Sequence, residues 1–97
     1  DLVMIVGICS ITLAVPAAHS LKEKRSAIKP LLAHVRREFN VAIAEVADQD
    51  RWQSSGLAVA AVGPDGANLH GVLEGVVRAI ERTQPQVFVT DWQIEIL

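Results

Sequence analysis

The chain is poor in the residues that stabilise small proteins without a core. One cysteine cannot form an internal disulfide, and it excludes a four-cysteine zinc site. Tyrosine is absent, and two tryptophans and two phenylalanines are all the aromatics there are. Six glycines and four prolines exclude collagen-like and low-complexity chains. A net charge of -2 gives no global attraction to nucleic acid. The apolar run at residues 2–15 is too short to cross a membrane, and no basic residue precedes it as in a targeting signal. What remains is a 97-residue chain, 51% hydrophobic and 21% charged. That is the size and composition of a single folded domain over residues 1–97, with no room for a second, catalytic one. The lone cysteine fits a reducing cytoplasm. Met4 is the expected natural start, with residues 1–3 left over from something else.

Periodicity divides the chain into six segments. Residues 3–15 are rich in β-branched side chains and apolar on both alternating faces, as in a strand covered on two sides, and Pro16 ends them. Ser20-Leu21-Lys22-Glu23 has capping-box spacing, and Leu21, Ile28, Leu31, Leu32 and Val35 continue as a helical stripe to about Arg37 or Glu38. Pro30 lies inside this stripe and predicts a bend near Ala27. Residues 39–47 and 55–62 read as strands joined by the polar stretch 48–53. Asp65 or Asn68 caps a second helix, whose stripe is Leu69, Val72, Leu73, Val76, Val77 and Ile80 and which Thr83-Gln84-Pro85 stops. Gly71 and Gly75 predict close packing of this helix. A last strand, residues 87–96, places Phe88, Thr90, Trp92, Ile94 and Ile96 on one face.

Strand, helix, strand, strand, helix, strand with right-handed crossovers is the ferredoxin-like βαββαβ sandwich, a four-stranded antiparallel sheet with two helices on one face. Two helices cover one face only. Met4, Val6, Ile8, Ala42, Ala44, Val46, Ala58, Ala60 and Val62 then fall on the other, which predicts a homo-oligomer packed through its sheets.

Charge is distributed unevenly. Residues 21–37 hold Lys22, Lys24, Arg25, Lys29, Arg36 and Arg37 against Glu23, a local charge of +5 that leaves -7 for the rest of the chain. At about 100° per residue, Lys22, Arg25, Lys29 and Arg36 lie within roughly 60° of one another, a basic stripe suited to a phosphate backbone as well as to a solvated helix face. Residues 3–15 and 55–62 contain no aromatic or basic side chain, so the sheet cannot stack bases as an RNA recognition motif does.

Signals for catalysis are weak, and the chain reads as no enzyme. Glu45, Asp48 and Asp50 match no calcium loop. His19, His34 and His70 sit in separate segments, so neither a metal nor a cofactor is expected. Cys9 alternates within an apolar strand and reads as a buried small hydrophobe. Trp52 lies in a polar connection, either capping the edge of the core or anchoring a partner.

Ser20-Leu21-Lys22-Glu23-Lys24-Arg25, residues 39–46 and Gln49-Asp50-Arg51-Trp52-Gln53 together resemble the bacterial YlxP family, over about residues 4–97. The resemblance implies a ferredoxin-like domain of the bacterial cytoplasm, of unknown function and with no established reaction. Family members are commonly encoded beside translation-initiation and ribosome-maturation factors. It points to Lys22, Lys24 and Arg25 in the first motif and to Gln49, Asp50, Trp52 and Gln53 in the second. The expected function is a non-enzymatic accessory protein that contacts ribosomal RNA or a ribosomal subunit through Lys22, Lys24, Arg25, Lys29 and Arg36. The alternative is an oligomeric module that binds a small ligand or regulates.

Overall fold

A computed structural model of the chain describes residues 2–83 and 85–97. The elements are β1 (Ile5–Ala14), α1 (Leu21–Glu38), β2 (Ala42–Ala47), β3 (Ser54–Gly63), α2 (Gly66–Thr83) and β4 (Phe88–Ile96). The sheet order is β2-β3-β1-β4 with every neighbour antiparallel. Both helices pack on one side, the arrangement of a ferredoxin-like sandwich.

Local chemistry sets the helix ends. The Ser20 hydroxyl accepts the Glu23 amide at 3.0 Å, and the Glu23 carboxylate reaches back to the His19 amide at 2.6 Å, one residue beyond the usual capping-box partner. At α2 the cap is Asp65, which accepts from the Ala67 amide with its side chain and from the Leu69 amide with its carbonyl. α1 runs through Pro30 without a break. Of the expected stop after α2, Thr83 is the last helical residue and Gln84 lies outside the described residues.

The core lies between helices and sheet. Cys9, Ile11 and Leu13 of β1, Leu57 and Val59 of β3 and Ile43 of β2 meet Ile28, Leu31 and Val35 of α1 and Leu73, Val76 and Ile80 of α2. Gly7 lets α2 approach β1, since a Cβ there would stand 3.0 Å from the Leu73 methyl. Gly71 faces open space and plays no such part, while Gly75 lies against the Phe39 ring.

Ladder partners share a face, so the register defines the side that no helix covers. Its rows are Ala42, Ala60, Ile8 and Glu95, then Ala44, Ala58, Ser10 and Gln93, then Ala47, Gly56, Thr12 and Asp91. Val62 and Val6 continue it at one end. β4 departs from strict alternation. Trp92, Ile94 and Ile96 lie opposite Ile11, Cys9 and Gly7 on the helix side, but the register shifts between Thr12 and Leu13. Beyond that bulge Phe88 pairs with Ala14, so it turns to the uncovered face rather than following Trp92.

Candidate nucleic-acid interface

The exposed cations of α1 are Lys22, Arg25, Lys29, Arg36 and Arg37, and none pairs with a carboxylate among the described residues. The helical phase that groups four of them holds them on the solvent side, away from Ile28, Leu31 and Val35. Arg36 is partly committed, because its guanidinium donates to the Ile43 carbonyl at 2.8 Å. Lys22, Arg25 and Lys29 project without such a tie.

Lys24 is a correction to the expected set of phosphate contacts. Its side chain is fully buried, and its ammonium donates to the carbonyls of Asp48 (2.7 Å), Gln49 (3.3 Å) and Ser54 (3.1 Å). It also pairs with the Glu45 carboxylate at 3.0 Å. Three N–H donors meet four acceptors, leaving the charge no capacity for an outside partner. The cause is angular, since Lys24 sits at the phase of Leu31 and Val35 within the apolar stripe of α1.

The second motif is organised around that ammonium. Asp48 adopts a left-handed backbone (φ 60°), which Asp tolerates better than most side chains, and its carboxylate accepts the Ser54 hydroxyl at 2.7 Å. The Arg51 amide donates to the Asp48 carbonyl at 3.0 Å. The Gln53 side-chain amide donates to the carbonyls of Pro16 and Ala18, both at 3.1 Å, while the Val15 amide donates to the Gln53 carbonyl. The connections β1–α1 and β2–β3 are thus tied together over the first turns of α1. Gln49, Asp50, Arg51 and Trp52 remain on the surface, and Trp52 is 52% exposed rather than tucked against the core.

Glu45 accepts from Lys24 and from the buried Ser55 hydroxyl (2.6 Å), Asp48 is held by Ser54, and Asp50 stands in the surface loop. A cleft of about 540 Å³ opens beside the first turn of α1, lined by Val15, Ala17, Ala18, Lys22, Glu23 and Ser26. No buried side-chain polar atom among the described residues lacks a partner. Burial pushes the Cys9 thiol up to about 11, which keeps it protonated and unreactive near neutrality. His70 pairs with Glu74 on α2, far along the chain from His19 and His34, and no group of three ligating side chains occurs among the described residues.

Comparison with known proteins bears on this arrangement. Residues 6–94 match the family described as "Protein of unknown function (DUF503)". The chain belongs to that family. A curated member, "Uncharacterized protein YlxP" of Bacillus subtilis (strain 168), is 39% identical over 64 residues, 66% of this chain and 70% of that protein. In solved structures the fold is similar to a C-terminal segment of the alpha subunit of aIF2 from Pyrococcus abyssi. That match has a TM-score of 0.54 and 14% identity, over 100% of this chain and 51% of the other. A de novo designed protein with ferredoxin fold aligns over 97% of this chain and 86% of its own, with 15% identity and a TM-score of 0.49.

Within this DUF503 chain, the residues that sequence reasoning missed are Ser54 and Ser55 as partners in the buried network around Lys24, whereas a pairing of Glu45 with the basic helix was readable from the charges. The helical phase of Lys24 is the one signal that identifies it. No helix among the described residues is long and apolar enough to cross a membrane.

Proposed function

We propose that this protein is a non-enzymatic accessory factor of the bacterial cytoplasm that binds RNA or a ribosomal subunit through the outer face of α1. The observation that carries the reading is the run of exposed cations Lys22, Arg25 and Lys29, extended by Arg36 and Arg37, with no carboxylate paired to any of them among the described residues. Outside this helix the chain is acidic. The concentration of one sign on one helix therefore has no counterpart in overall composition, and a phosphate backbone is the polyanion such a row fits. Lys24 supports the reading indirectly, by fixing the turn on which Lys22 and Arg25 stand. Cosedimentation with purified ribosomal subunits and with RNA across a salt series tests it. Three or four phosphate contacts give a log–log salt slope of about -2 to -4. Association that falls along that slope and disappears in Lys22→Glu/Arg25→Glu/Lys29→Glu is expected. Equal, negligible sedimentation of two folded proteins retires the helix as an RNA site.

A second reading concerns assembly, and it comes from the uncovered sheet face. We infer that two copies pair through it. At ~3.3 Å per residue and ~4.8 Å between strands, the face spans roughly 600 Å² per copy, about 1,200 Å² for a pair, the lower bound of specific interfaces. Charge favours a second copy. The β2, β3 and β1 rows are alanine, glycine, serine, threonine, valine and isoleucine, and the acids Asp91 and Glu95 lie only along β4. Two-fold pairing sets apolar rows on apolar rows and leaves those acids at the rim. Sedimentation velocity at micromolar concentration should show a dimer that Ala58→Lys converts to a folded monomer. A monomeric wild type refutes the pairing.

A further inference from the structure

We propose that Trp52 is a stacking platform for an unpaired base of an RNA strand whose phosphates lie along Lys22 and Arg25, an inference that rests on the RNA reading above. Three observations lead to it. The ring is half exposed, although an indole buries more apolar surface than almost any other side chain and the chain has only two. The connection that carries it is immobilised on both sides. Asp48 and Gln49 are held through their carbonyls by the buried Lys24, and Gln53 is held by Pro16, Ala18 and Val15. An internal charge and a left-handed Asp48 are thus spent on fixing a surface loop whose outward residues are Asp50, Arg51 and Trp52. Finally, the loop and the basic helix meet. Lys24 reaches the loop carbonyls from the buried side of α1, one residue before Arg25, so the indole's connection packs against the first turns of the helix that carries the stripe.

A rigid, exposed ring on a loop packed against a basic helix is a combination that single-stranded RNA uses. Phosphates supply attraction without sequence, and each unstacked base supplies a π-face to a waiting aromatic. A duplex hides its bases and gives Trp52 nothing to stack on. Preorganisation by Lys24 keeps the cost of ordering the loop out of the binding free energy. The other exposed aromatics, Phe88 and Trp92, lie on β4 at the opposite edge of the sheet from β2 and its connection.

The test uses labelled oligoadenylate and its duplex with oligouridylate. Anisotropy measures binding to the wild type, Trp52→Ala and Trp52→Phe, and tryptophan emission is followed in Trp92→Phe, where Trp52 is the one indole. Expected are quenching of Trp52 by the single strand and not by the duplex, a roughly ten- to hundredfold loss of single-strand affinity in Trp52→Ala, and retention in Trp52→Phe. Unchanged affinity in Trp52→Ala, with Lys22→Glu/Arg25→Glu still abolishing binding, overturns the stacking role and leaves the RNA reading standing. Absence of binding by the wild type overturns both. The anisotropy comparison does not depend on the Trp92 variant folding.

Discussion

Lys24→Met removes an ammonium from the interior while keeping most of the side-chain volume, and its cost can be worked from the contacts. The substitution strands the Glu45 carboxylate and takes the donor from the carbonyls of Asp48, Gln49 and Ser54. Removing one partner of a buried ion pair costs about 3–5 kcal/mol. The Glu45 side chain is 19% exposed, so water recovers part of the loss and the lower end applies, about 3 kcal/mol. For a domain of this size that corresponds to a fall in Tm of roughly 12–24 °C. Urea and thermal unfolding followed by circular dichroism measure it. A cycle with Glu45→Gln should show the double variant losing less than the two single variants summed, by about 1 kcal/mol or more. A Lys24→Met cost under about 1 kcal/mol, the level of an exposed pair, would refute the claim that this ammonium is an internal structural group.

Other outcomes follow from the packing. Cys9 should resist thiol reagents in the native protein at pH 7–8 and react at once in denaturant, as mass spectrometry after alkylation will show; rapid native labelling contradicts its burial. Its folded pKa, raised from 9.0 to about 11, means that its contribution to stability is intact below pH 9 and is lost as pH rises towards 11. A Cβ at Gly56 would stand 2.7 Å from the Ala47 Cβ. Gly56→Ala should therefore destabilise by about 1–3 kcal/mol and be largely rescued by Ala47→Gly, read by urea midpoints; no rescue would place the strain elsewhere.

The order of elements and the span of α1 were legible because each rests on a long periodic signal with a cap at its start. Ser20 and Glu23 mark the entry, and Val35 and Ile28 carry the phase. The face of Phe88 was not legible, since one register shift between Thr12 and Leu13 reverses it and leaves no local mark in β4. β2 begins at Ala42, three residues later than its apolar pattern, because Phe39 ends α1 as its C-cap and packs beside Gly75. Lys24 shows the site's legibility most clearly. As a basic residue in a basic segment it reads as a surface contact, whereas its angular position among Leu31 and Val35 reads as core. The partners that decide between these, at Asp48, Gln49 and Ser54, lie in a connection whose path no periodicity describes.

The Lys24 network also governs how long the folded state lasts. Its hydrogen bonds close 24 to 30 residues of chain and require the hairpin of β2 and β3 to be in place against a formed α1. The ammonium surrenders its hydration only when all three carbonyls are aligned, so these bonds are expected to form after the barrier to folding and to break before the barrier to unfolding. Their free energy therefore appears in the unfolding rate. A Lys24 variant should refold nearly as fast as the wild type and unfold far sooner, which makes this side chain a timer on the native lifetime.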